Sequence, residues 1–510
     1  MSPGASQPPS DTSLDRGTWI IAGVVIVGMV MSILDTTIVN VALDSLSRDL
    51  HSPLSTLQWV STGYLLSLAM VIPLAGWMTE RFGSKRIWMV SVTLFGLGSA
   101  LCGLAGSADM LIFFRVLQGL GGGMIMPVAM TVLAQTAGPQ RIGRVMSVVG
   151  VPMLLGPILG PVIGGLIVDS TTWRLIFYVN VPIALLALFL AARFLPSDTG
   201  RADAGRLDWV GLGLISPGLA GIVFGLSETE SHGGITHPLA FGPILAGILL
   251  VALFVVHSLR ADRPLIDLGL FRSRSFSAAA ATTFALGGAL FGTMLVLPLY
   301  FQVARGESAL AAGLLMAPQG LGAALSLSYA GRLADRVGGG HVALVGCSIM
   351  TLATLPLAAI GAGTSFLLLA GVLFVRGMGL GAAMMPAISA AYAQLDSAQV
   401  PRATSALNTL QRVGGSIGTA LLAVVLQSEM RSAVGGTSGS GGLQPVPTAL
   451  RERLADPLAS AFGHTFAWAA GLSLLAVIAA ALLARSERPG EAAQRHTPRE
   501  RTHAHAAAAS

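Results

Sequence analysis

Asp35 lies inside an apolar run, within Leu34-Asp35-Thr36-Thr37-Ile38-Val39-Asn40. A carboxylate in that setting costs about 2.5–3.5 kcal/mol on insertion scales, so it must face a cavity or a partner. Three arginines share the same surroundings: Arg115, Arg376 and Arg412. Arg115 is the natural partner for Asp35. Counted from the nearer ends of their runs, both residues sit roughly 10–12 Å deep, so their side chains can meet. A carboxyl whose cationic neighbour comes and goes is able to take up and release a proton. The alternative is a structural ion pair that holds two helices together. Asn408 and Arg412 share one helix face at i, i+4. With Asn40 and Arg376 they are candidates for lining a cavity, the alternative for the arginines being bonds to backbone carbonyls across the bundle.

A second constellation is a repeated octamer. Gly76-Trp-Met-Thr-Glu80-Arg81-Phe-Gly83 is followed by Ser84, Lys85 and Arg86, and 255 residues later comes Gly331-Arg-Leu-Ala-Asp335-Arg336-Val-Gly338. Both copies follow one apolar run and precede another. Glycine permits close approach and positive φ, and the acid can hold the arginine or cap the next helix, so each loop can act as a charged latch. Two copies in matching context indicate a chain built from repeated halves.

The elements that carry these residues are membrane helices. Apolar residues make up 53% of the 510 and charged residues 11%, where a soluble domain carries about 25% charged residues. Runs of about 18 or more apolar residues give fourteen predicted spans, the fifth near 143–167. With both termini inside, inside segments hold 21 of the 30 basic residues and outside segments 6, as the positive-inside rule requires. Basic residues scattered over short loops make no stripe for nucleic acid. Lys85 is the only lysine and it follows Ser84, which excludes a Gly-Lys-Ser/Thr phosphate loop. There is no His-Glu-x-x-His motif, and Cys102 and Cys347 read as small packing residues. No cofactor or metal is expected, protons being the coupling ion. The dearth of lysine and abundance of alanine suit a GC-rich bacterial genome.

Gly119-Leu-Gly-Gly-Gly-Met124 in span four resembles Gly379-Leu-Gly-Ala-Ala-Met384 in span twelve, 260 residues on, each after a buried arginine. Spans one to six thus match nine to fourteen, with two inserted between. The predicted parts are a tail over 1–16, a six-helix bundle over 17–195, two inserted helices over 208–258, and a second bundle over 276–485 containing an external loop at 428–463. A second tail covers 486–510, and both tails are expected to be disordered and cytoplasmic. Parallel six-helix halves around a midplane site are a transporter arrangement. Span five carries Gly156, Gly160, Pro161, Gly164 and Gly165, small residues every four positions that let a neighbouring backbone come close.

Together these features resemble the major facilitator superfamily, and within it the fourteen-span drug:proton antiporters of the EmrB/QacA group. The resemblance rests on Leu34 to Leu43, the Gly76–Arg86 loop, Arg115-Val-Leu-Gln118-Gly119, the Gly156–Gly165 motif and Trp173-Arg174-Leu-Ile-Phe177-Tyr178-Val-Asn180-Val-Pro182. It implies export of amphipathic or cationic small molecules in exchange for protons, by a monomer in the bacterial plasma membrane. Asp35 and Arg115 would carry the coupling. A metabolite exporter, an importer on the same scaffold, or a receptor that moves nothing are the competing readings.

Overall fold

The computed structural model describes residues 16–487 except 138–144, 146–155, 157–158, 161–162, 169, 199, 201–204, 233–236, 263, 394, 397 and 435–447. Among these residues the architecture is all-helical. The first half comprises α1 (Arg16–Asp49), α2 (Leu54–Phe82), α3 (Ser84–Gly103), α4 (Ala108–Ala137), the short α5 (Leu175–Tyr178) and α6 (Asn180–Phe194). Two inserted helices follow, α7 (Trp209–His232) and α8 (Pro238–Ser258). The second half comprises α9 (Arg274–Leu299), α10 (Ala309–Val337), α11 (Gly339–Thr354), α12 (Phe366–Tyr392), α13 (Val400–Val434) and α14 (Thr448–Ser486).

Thirteen of the described helical segments are long and apolar enough to cross a membrane. The expected fifth span lies largely outside the described residues, although Gly156, Leu159, Gly160 and residues 163–168 within that stretch are helical. The predicted external loop at 428–463 is shorter than expected, because α13 continues to Val434 and α14 already begins at Thr448. Both predicted tails fall almost wholly outside the described residues.

Large apolar side chains such as Leu97, Phe113, Phe189 and Leu367 point outward, which is stable only where lipid replaces water. Small residues do the packing inside. Gly121 meets the backbone of Phe95 and Ser91 on α3, and Gly379 meets Met350 and Gly346 on α11. Gly119 and Gly123 lie against Tyr64 and Leu68 on α2, as Gly377 and Gly381 lie against Gln319 and Ala323 on α10. These paired contacts set the register between the halves. On α4 and α12 it is 258 residues, not the 260 that the Gly119–Met124 resemblance suggests. Glycine alternation is similar in either alignment; only the neighbouring backbones distinguish them.

The loop octamers end their helices in the same way. Gly83 and Gly338 end α2 and α10 with φ of 90° and 95°, a region that favours glycine because it has no Cβ. The inserted pair packs through Gly221, Gly225 and Gly247, and α7 lies against both α2 and α13.

Candidate functional site

Asp35 and Arg115 meet. Arg115 Nη1 donates to Asp35 Oδ2 at 2.6 Å, with the acid 0% and the base 1% exposed. Gln118 Nε2 and Asn180 Nδ2 each donate to Asp35 Oδ1 at 3.0 Å. Arg115 also donates through Nη1 to Gln118 Oε1 at 2.8 Å and through Nε to the Val60 carbonyl at 3.2 Å, and its guanidinium lies 4.1 Å from the Tyr64 ring centroid. Every partner of the carboxylate is a donor. Charge-assisted bonds of this kind are about twice as strong as neutral ones. Removing one member of a buried pair costs about 3–5 kcal/mol, since the other charge is left uncompensated.

The helices that bring these groups together are held at close range by glycine. The stripe on span five faces α1 on either side of Asp35: Gly156 abuts Ile33 and Gly160 abuts Thr37, while a Cβ at Gly164 would lie 2.7 Å from Ile38 Cγ1. Gly165 is half-buried, and Pro161 is outside the described residues. Gln118 follows Arg115 by three positions and so shares its helix face. Asn180 opens α6, where its amide also reaches the Ser99 hydroxyl at 3.1 Å. Neither stands out in the sequence as a coupling residue, because a neutral amide in a span carries no charge to betray it. Both lie inside the motifs that carry the family resemblance.

The second half repeats the scaffold with different chemistry. In the 258-residue register Arg376 stands at the position of Gln118, and Leu373 at that of Arg115. Arg376 donates to Gln319 Oε1 at 2.7 Å, Thr293 Oγ1 at 2.9 Å and Thr354 Oγ1 at 3.1 Å. Gln118 reaches Asp35, and Arg376 reaches Thr293, across the same interval of 83 residues. Thr293 therefore occupies the acid's place. Arg376 is 1% exposed and has no acidic partner among the described residues.

The halves join at the end of the bundle that carries the octamers. Glu80 and Arg402 form a two-pronged ion pair, Nε to Oε1 and Nη2 to Oε2, both at 2.9 Å. Gly76 lies against the backbone of Pro401, where a Cβ would sit 3.0 Å from the carbonyl oxygen, so a larger residue would crowd the contact. One turn deeper, the Ser405 hydroxyl donates to the Ile72 carbonyl at 2.8 Å. Arg81, Arg86 and Arg336 are exposed, Asp335 is half-buried and Gly331 is buried.

A further device is not legible in the sequence. Asp198, just after α6, accepts from the Ser84 and Lys85 backbone N–H groups at the start of α3. Glu487, just after α14, accepts from the Gly340 N–H at 3.0 Å at the start of α11. Each half thus places a carboxylate on the positive end of its third helix. Lys85 Nζ caps the other helix end, bonding the Ala192 and Leu195 carbonyls at 3.0 and 2.8 Å.

At the opposite end, Asp49 accepts from Trp173 Nε1 and Arg174 Nη1, both at 2.8 Å. The Trp173 bond and then Arg174 hold its carboxyl below the usual carboxylate range. Of the cavity candidates, Asn408 lines a small enclosed space between the halves with Met126, Met130 and Gln411, and its amide bonds the Thr404 carbonyl. Arg412 is half-buried. The side chain of Asn40 is outside the described residues. No metal-binding group of acids, histidines or cysteines occurs among the described residues.

The arrangement is that of a membrane protein made of two pseudo-equivalent helical bundles meeting at a charged seam, with one buried acid off the seam. Residues 25–419 match the Major Facilitator Superfamily family model. The chain belongs to the major facilitator superfamily, and it is a transporter rather than an enzyme. It is 41% identical over 459 residues to a "Multidrug resistance protein B homolog" of Mycobacterium tuberculosis, covering 89% of this chain and 85% of the relative. It is 33% identical over 367 residues to a "Putative multidrug resistance protein MdtD" of Escherichia coli, covering 71% and 75%. Among solved structures, the human organic anion transporter MFSD10 superposes with a TM-score of 0.59 at 17% identity, covering 93% of this chain and 100% of that one. The proton:xylose symporter XylE gives 0.56 at 17%, covering 89% and 94%. At that identity both show the fold alone.

Proposed function

We propose that this protein exports amphipathic, drug-like small molecules across a bacterial plasma membrane in exchange for protons, with Asp35 as the proton carrier. The observation that carries the reading is the closed cage of three donors around a fully buried Asp35. A carboxylate so placed holds α1, α4 and α6 together while ionised. A proton on it leaves those donors facing a neutral group and loosens the same three helices, which couples protonation to their packing.

The positive-inside bias assigns the octamer-bearing end to the cytoplasm. The Glu80–Arg402 pair and the Gly76–Pro401 contact then close the cytoplasmic side, and the conformation faces outward. A proton entering from outside is driven inward by about 2.3 kcal/mol per 100 mV and about 1.4 kcal/mol per pH unit. One proton can therefore support a roughly hundredfold gradient of a neutral solute. Multidrug resistance in the names of two relatives supports the substrate class and the direction.

The test is Asp35→Asn in everted vesicles. Export driven by a pH gradient is expected to vanish while substrate binding to the purified variant survives. Full gradient-driven export by the variant would remove Asp35 from the mechanism.

A further inference from the structure

The Ser405–Ile72 bond fixes α13 against α2, and the two helices run in opposite directions. Arg412 lies seven residues further along α13, and Tyr64 lies eight residues back along α2. At 1.5 Å per residue these are roughly 10 and 12 Å from the bond, at nearly one level inside the bundle. Arg412 and the Tyr64 hydroxyl are close enough to interact electrostatically. Arg412 follows Ser405 by seven residues, two helical turns, so it lies on the α13 face turned toward α2, and Gln411 lies about 100° round the helix from it.

Unused donors lie at this level of the bundle. Gln411 Nε2 and the Tyr64 hydroxyl are buried without a hydrogen-bond partner, their residues being 6% and 1% exposed. The Ser32 hydroxyl neighbours Tyr64 but not in bonding geometry. Arg412 forms no hydrogen bond or ion pair with any described residue. Guanidinium and amide nitrogens only donate, so the missing partner must supply acceptors. The one acid in the described interior, Asp35, is already committed to Arg115, Gln118 and Asn180. A bound negative charge would complete the set, and a planar carboxylate matches the arginine fork.

We propose that Arg412 and the Tyr64 hydroxyl form a subsite for the carboxylate of an amphipathic substrate, so that acid-bearing compounds are cargo of this transporter. The inference rests on the transport reading and names its substrate class, and it departs from the cationic class that the family resemblance implies. The Tyr64 ring lies against Arg115, so the occupied subsite is one aromatic ring away from the coupling pair. Binding and proton exchange then share a wall.

The test uses two dyes of similar shape and opposite charge, with the purified full-length protein in detergent and no proton gradient. Fluorescein carries a free carboxylate; rhodamine 6G is a cation whose carboxyl is esterified. Fluorescence polarisation is expected to show fluorescein binding that weakens at least tenfold in Arg412→Gln and less in Arg412→Lys. Rhodamine 6G binding should stay within about twofold. Tyr64→Phe keeps the ring on Arg115 and removes one donor, and it should weaken fluorescein alone, by threefold or more. It decides the matter if Arg412→Gln fails to fold. Unchanged fluorescein binding in the variants, equal losses for both dyes, or no fluorescein binding by the parent protein would each overturn the subsite. Normal dye discrimination in a protein that moves nothing under a proton gradient would instead sink the export reading and leave the subsite standing.

Discussion

The two halves solve one packing problem and diverge in one charge. Gly119, Gly121 and Gly123 and their counterparts Gly377, Gly379 and Gly381 touch equivalent backbones on the flanking helices. Yet the first half places Asp35 where the second has Thr293, and the second half satisfies its buried arginine with hydroxyls and an amide. A carboxyl can change its charge and a threonine cannot. The scaffold is therefore what duplication preserves, and the titratable partner is what the first half alone retains among the described residues. One half pairs its buried arginine with an acid, while the other holds its arginine among neutral groups.

The sharpest break in this comparison comes from removing each arginine. Arg115→Gln leaves Asp35 buried beside no cation, and thermal unfolding in detergent should register a loss of about 3–5 kcal/mol. Arg376→Gln strands only neutral acceptors, for about 1–3 kcal/mol. Adding Asp35→Asn to Arg115→Gln should recover part of the larger loss. Equal losses at the two arginines would mean the ion pair is not what distinguishes the halves. A smaller effect tests their likeness. Gly121→Val and Gly379→Val force side chains into backbone on the third helix of each half, a Cβ at Gly121 lying 2.6 Å from the Phe95 nitrogen. Each should cost about 1–3 kcal/mol through overpacking. A large loss at one site and none at the other would refute the 258-residue register.

The smallest effect contrasts a buried with an exposed pair. Asp49 and Arg174 have side chains 48% and 37% exposed, so water screens them and Asp49→Asn should shift the unfolding temperature only slightly. Because the Asp49 carboxyl is held below its usual range, its contribution is present above about pH 4 and is lost as pH falls through the lowered value. Unfolding temperatures of the parent and Asp49→Asn should therefore converge in acid. A gap that persisted there would assign Asp49 a role other than charge.

Much of this is legible in the chain itself, for physical reasons. Apolar runs declare helices in lipid, and ions inside them are so costly that Asp35 and Arg115 are bound to seek each other. Gly83 and Gly338 announce themselves through matching octamers. What stays hidden depends on contacts between distant segments. Asn180 lies 145 residues from Asp35, and Asp198 lies 114 from Ser84. Neutral amides and linker acids are common, so type and spacing give no reason to single them out. Residue pattern alone misplaces the repeat register by two positions because glycine-rich helices resemble themselves under small shifts. The extra turns of α13 and α14 escape notice because polar helix ends and polar loops have similar composition.

The placement of α7 has one more consequence. It rests on both α2 and α13, with the Ser216 hydroxyl bonded to the Met70 carbonyl. These are the helices that meet across the seam. The inserted hairpin thus covers that flank of the seam and keeps lipid off it.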